Sequence, residues 1–232
     1  MSLILLPIQM VTAAAISCPE AKILFQHEVR REDRGALCSG AASALKFLQS
    51  LGLTAKRPIK VAVEEHPLAT KGHPIYGSYD RTDDIARIMS LSAIRRSLAR
   101  PTIYEQPLDE AHYLGIIAHE IAHAVVQQNT RLEEISNAAQ EYLAHATQMA
   151  VLPTIKRQQV IDAAGVGAWE VNDVISEVYM AFAPERFATK CYLHLTGLTD
   201  PKPFVQFLLT HKWRYLTVGG AEDSRVAIEP RS

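Results

Sequence analysis

Two histidines and a glutamate interrupt an otherwise apolar run, IIAHEIAHAVVQ, over residues 116–127. On an α-helix, residues four apart project from one face about one turn apart, so His119 and His123 can aim their imidazoles at a single zinc ion. Glu120 follows the first histidine and reaches the same space from the side. It is placed to act as general base on a metal-bound water rather than as a ligand. Flanking Ile116, Ile117, Ala118, Ala124, Val125 and Val126 mark this helix as buried. There, unpaired imidazole and carboxylate groups destabilise the fold unless a metal or other partner satisfies them.

A catalytic zinc needs a third protein ligand and one open position. The segment NAAQEYLAHATQMA offers candidates, because Asn137, Glu141, His145 and Gln148 fall on one stripe of a helix whose remaining surface is largely apolar. Glu141 and His145 form an ExxxH pair pointing one way, matching the need of the first helix. For His145 three roles stand open: a ligand competing with Glu141, a hydrogen-bonding support for Glu141 or a zinc histidine, or a solvent-facing side chain. The supporting role carries the most weight.

With these two helices the sequence resembles the zincin metallopeptidases, and among them the gluzincins such as thermolysin and the one-zinc aminopeptidases. The resemblance covers roughly residues 109–152. It implies two facing helices, with His119 and His123 as zinc ligands, Glu120 as the base and Glu141 as the third ligand. It also implies a zinc-dependent hydrolase, a peptidase acting on a peptide or protein substrate. The chain departs from the pattern in three places. Thermolysin-like proteins place an aspartate where His145 stands; the Gly-rich exopeptidase segment of the aminopeptidases is absent; and AVVQQNTRLEE follows the motif where metzincins carry a third histidine. A similar pairing of HExxH with a QEY-type helix occurs in bacterial exported proteins. The competing expectation is a zincin-like binding or scaffold protein with a structural metal and no catalysis. Glu120 separates the two, since a purely structural site has no use for a base beside an open position.

The elements that must position these residues read as α+β: a small N-terminal sheet with a hairpin, then a mainly helical, zincin-like body. Asp33 is expected to cap a first helix that Gly52 ends in the left-handed conformation. RPIKVAVEEHP alternates as a strand with Ile59, Val61 and Val63 on one face. PIYGSYDRTDDIARIMS reads as a hairpin, with Asp80, Asp83 and Asp84 as turn residues rather than a cation loop. Helices are expected over 91–99, from Asp109 as cap to Gln128, over 133–152 ahead of Pro153, and over 154–164, 172–182, 184–195 and 202–211. Tyr76, Tyr79, Tyr142 and Tyr179 are candidates to stabilise an oxyanion. His112 is expected at the surface of the first turn, and His27, His66, His73, His194 and His211 have no partner at a ligand spacing.

The whole chain has 232 residues, is 48% hydrophobic and carries a formal net charge of -1, which fits one enzyme-sized domain. Its Lys and Arg are dispersed, so no nucleic-acid surface is expected. The absence of GxSxG, phosphate-loop and GxGxxG motifs removes the common rival chemistries. Residues 1–17 are uncharged and apolar and end in small residues, as a signal peptide does. The expected layout is therefore leader 1–17, catalytic domain 18–217 and polar tail 218–232, secreted or periplasmic, with no integral membrane span in the mature chain. In an oxidising compartment Cys18 and Cys38 would staple the N-terminus to the first helix, leaving Cys191 as a buried thiol. No CxxC pair exists to offer a thiolate zinc site.

Overall fold

The computed structural model describes residues 17–18, 21–70 and 73–219, and the expected leader and polar tail lie outside these apart from 17, 218 and 219. In chain order the elements begin with β1 (Ser17–Cys18), β2 (Ile23–Phe25), α1 (Arg31–Ser50) and β3 (Ile59–Glu64). Next come β4 (Leu68–Thr70), β5 (His73–Ile75), β6 (Gly77–Asp80), β7 (Ile85–Met89) and α2 (Leu91–Ser97). The small strands β8 (Thr102–Ile103) and β9 (Gln106–Pro107) precede α3 (Glu110–Asn129), α4 (Asn137–Val151) and α5 (Thr154–Ala164). The chain continues with β10 (Val174–Ser176), α6 (Glu177–Phe182), α7 (Pro184–Gly197), α8 (Lys202–Thr210) and β11 (Tyr215–Thr217). The fold is α+β, as its pattern implies. No helix among the described residues is long and apolar enough to cross a membrane.

The main sheet runs β1-β2-β3-β7-β6. β2, β3 and β7 are parallel, and α1 is the crossover between the first two, as parallel neighbours require. β6 returns antiparallel at one edge, with Asp80 opposite Ile85 across the expected hairpin turn. There the Asp80 carboxylate accepts from the Thr82 and Asp83 amides, and Asp84 takes Arg57 and the Tyr79 hydroxyl. All three aspartates are therefore hairpin polar residues. The helical layer packs on this sheet through α3, which lies against β7 and β6 on one side and α1 and α4 on others.

The α1–α3 approach depends on Gly40, where an added Cβ would come within 2.9 Å of the Ile117 Cγ2. Cys18 and Cys38 form a disulfide that ties β1 to α1, and Cys191 is fully buried.

Several boundaries differ from the sequence reading. α1 begins at Arg31, so Asp33 is not its cap. It is instead a buried first-turn carboxylate that accepts from Arg30 at 2.9 Å. Gly52, at φ 82°, does end the helix: its amide and that of Leu53 reach back to Gln49 and Leu48, closing a Schellman motif. α4 starts four residues later than expected because Ser136 caps it, accepting from the Ala139 amide at 3.1 Å, and Glu133 and Glu134 fall in the preceding loop. Within 172–182 only α6 is helical. Asn172 adopts a φ of 73°, and Val174–Ser176 pairs with β11. A three-residue strand carries too little periodicity to be seen without its partner. β4 and β5 make a second hairpin, and the 101–107 loop holds a third.

Asp109 caps α3 as expected, accepting from the His112 amide at 3.0 Å, and it also binds the His112 ring and Lys156 at 2.8 Å each. His112 is thus buried rather than on the surface. Burial alone would raise the Asp109 pKa, but the Lys156 and His112 hydrogen bonds outweigh it and bring it down to about 2. A carboxylate with a depressed folded-state pKa contributes stability that is present above its unfolded value, about 3.9, and lost as pH falls through that window toward 2. Asp109→Ala is expected to cost about 1–2 kcal/mol in urea unfolding at neutral pH. The difference from wild type should shrink between about pH 4 and pH 2.

Candidate metal centre

α3 brings His119 and His123 to the floor of a cleft of about 1380 Å³, and α4 faces it with Glu141. His123 Nε2 lies 3.0 Å from His119 Nε2. Glu141 places Oε2 at 3.3 Å from His119 Nε2 and Oε1 at 3.5 Å from His123 Nε2. Ligands about 2.0–2.1 Å from a tetrahedral zinc ion stand about 3.3–3.4 Å apart, so this triangle is the size of one face of such a site. The three side chains form a cluster able to hold a metal ion, with His123 buried and the other two half-buried.

The far nitrogen of His119 is anchored. His119 Nδ1 is 2.9 Å from Gln148 Oε1, a carbonyl that can only accept, so Nδ1 carries the proton and Nε2 presents its lone pair to the cleft. The Gln140 side chain lies beside His123 and works against its downward pKa shift. Both glutamines are buried. Gln148 lay on the polar stripe read from the sequence. Gln140 was not counted in that stripe, although it lies three positions after Asn137 and lines the same cleft.

His145 sits beside Glu141, its Nε2 3.6 Å from Oε2, and its ring packs edge-on against His119 with centroids 4.7 Å apart. It lies next to the candidate ligands and is not solvent-facing.

The electrostatics agree with three donors held ready for a cation. For Glu141, burial would raise the pKa, but His123, His119 and His145 hold it well below the carboxylate range. Burial pushes His123 down to about 4 and His145 to about 3, with neighbouring Glu141 working against both shifts. At His119, burial works downward, yet the Glu141 carboxylate overcomes it and raises the pKa. Burial thus keeps His123 and His145 neutral around a charged Glu141 carboxylate, whose negative charge a cation held by His119, His123 and Glu141 would neutralise.

Glu120 is buried on the same face, and its Oε2 has no hydrogen-bond partner. Burial raises its pKa to about 7, with His119 drawing it down and Glu141 pushing it up. Gly77, the first residue of β6, closes over it. A Cβ there would lie 2.7 Å from both Cγ and Oε1 of Glu120. The sequence reading missed Gly77, for nothing local marks it; it carries no unusual φ and is required only by the approach of α3.

Of the tyrosines considered for oxyanion binding, Tyr76 donates to the Thr102 carbonyl, Tyr79 to Asp84, and Tyr142, fully buried, shares a hydrogen bond with His194. Those three hydroxyls are committed elsewhere, and the Tyr179 ring packs against Trp169. Tyr79 contributes its ring instead, stacked on His123 at 6.5 Å. Tyr215 of β11 lines the cleft, a position visible only once β11 is placed. His27, His66 and His211 are exposed, and Asn137 lies on the cleft wall.

No curated protein and no solved structure matches this chain. A family model described as "Family of unknown function (DUF6639)" matches residues 27–217, which take in α3, α4, the β6–β7 hairpin and every residue of the metal cluster. The chain belongs to the DUF6639 family.

Proposed function

We propose that this protein is a zinc-dependent hydrolase with a zincin-like arrangement, a peptidase that cleaves amide bonds in a peptide or protein. The observation that carries the reading is the convergence of His119, His123 and Glu141 at 3.0–3.5 Å beside Glu120. The donor set, two imidazoles and one carboxylate, suits zinc and matches a catalytic rather than a structural complement. Zinc held by His119, His123 and Glu141 would supply Lewis acidity for polarising a substrate carbonyl and activating water.

The chain's own groups do the rest. His119 is held in orientation by Gln148, and Gln140 lies beside His123. Glu120, at a pKa of about 7, is suited to take a proton from the attacking water and to pass it to the leaving amine. The edge strand β6 forms one wall, and a cleft of about 1380 Å³ exceeds the range of about 300–1,000 Å³ common for small ligands, which favours an extended polymer. A purely structural metal site gives no reason to bury Glu120 with an unpartnered oxygen. The Cys18–Cys38 disulfide favours a secreted or periplasmic location, where thiols oxidise.

Metal analysis of freshly purified protein, with and without chelator, tests the reading alongside digestion of a mixed peptide library. The expected results are one zinc per chain, loss of cleavage on chelation, and a fall in thermal midpoint when the metal is removed. A protein that arrives without zinc and unfolds identically with or without chelator excludes the proposal.

A further inference from the structure

Strands β8 and β9 pair Ile103 with Gln106, leaving Tyr104 and Glu105 as a two-residue turn. Both have positive φ, 50° and 58°. That is the geometry of a type I′ turn, which Asn-Gly or Asp-Gly adopts easily and which a tyrosine and a glutamate adopt only under strain. Strain of this kind persists where the surroundings over-determine it, and here the surroundings are specific. The Tyr104 ring is buried among Met149, Leu152, Val160 and Ala188. Its hydroxyl lies 2.8 Å from His145 Nδ1. The hairpin is also tied from outside by the Tyr76 hydroxyl donating to the Thr102 carbonyl at 2.9 Å.

We infer that Tyr104 is a positioning residue for the metal centre, acting through His145 on Glu141 and His119. This rests on the metal reading above. The Glu141 carboxylate facing Nε2 of His145 favours the tautomer with its proton there, and the Tyr104 hydroxyl, 2.8 Å from Nδ1, supports that tautomer by donating to the other nitrogen. That N–H faces the Glu141 carboxylate at 3.6 Å, an electrostatic contact longer than a hydrogen bond. The same ring buttresses His119 edge-on. One hydroxyl on a strained turn thereby holds the ring that backs two of the three candidate ligands. With the hydroxyl removed, His145 is free to take the other tautomer, presenting a lone pair to the Glu141 carboxylate and repelling it.

The test is zinc affinity by chelator competition, with the absorption spectrum of the cobalt-substituted protein as a second readout. Tyr104→Phe keeps the ring and removes the hydroxyl; it is expected to weaken zinc binding roughly tenfold and to alter the cobalt bands. Glu105→Gly relieves strain in the same turn without touching the hydroxyl. It should raise the thermal midpoint of the metal-free protein and leave zinc affinity unchanged. If Tyr104→Phe does not fold alone, the Glu105→Gly background carries it for the same comparison. Wild-type zinc affinity and cobalt spectrum in Tyr104→Phe overturn the inference while leaving the metal reading intact. Wild-type protein that binds neither zinc nor cobalt overturns both.

Discussion

Glu120→Gln is expected to lower kcat for peptide hydrolysis by about 10²–10⁴-fold while zinc content and KM stay near wild type. The substitution is nearly isosteric and leaves His119, His123 and Glu141 untouched, so the metal triangle keeps its 3.0–3.5 Å edges. What disappears is a group able to carry a proton at a pKa of about 7. The same change should stabilise the metal-free fold. A buried carboxylate whose Oε2 lacks a partner, with the Glu141 charge close by, opposes folding, and a neutral amide removes the charge. A gain of about 1 kcal/mol corresponds to a rise of about 2–4 °C in thermal midpoint for a chain of this size. Kinetics and calorimetry should therefore move in opposite directions. A Glu120→Gln protein that cleaves peptides at the wild-type rate removes Glu120 from the mechanism.

Gly77→Ala is expected to cost activity on the order of 100-fold with zinc affinity unchanged. A methyl group at this position would sit 2.7 Å from the Glu120 Cγ and Oε1 and 2.9 Å from Cδ, closer than nonbonded atoms settle, so Glu120 or the β6 edge must move. The candidate metal-binding atoms come from α3 and α4, and a shift taken up by the Glu120 side chain leaves them in place. Loss of activity with retained metal would place the fault at the base. Parallel loss of metal would mean that β6 supports the whole centre, and unaffected activity would show that the Gly77 contact does not set the position of Glu120.

The residues that meet at the metal centre were largely readable in one dimension, since a helix repeats every 3.6 residues and local spacing decides which side chains share a face. His119, Glu120 and His123 were legible from one helix, and Glu141, His145 and Gln148 from the next. Asp109 as a cap, Gly52 as a stop and the β6–β7 hairpin were equally local signals, and the structure carries each of them. The tertiary structure alone decided what touches what across elements far apart in the chain. Gly77 matters because α3 crosses β6, Gln140 because its side of α4 meets His123, and Tyr104 because a strained turn drops its ring 41 positions away onto His145. The order β1-β2-β3-β7-β6 and the β10–β11 pair belong to the same class. Sequence spacing encodes periodicity within an element, whereas these contacts are set by packing between elements, where many residue types fit and only the folded chain selects the pair.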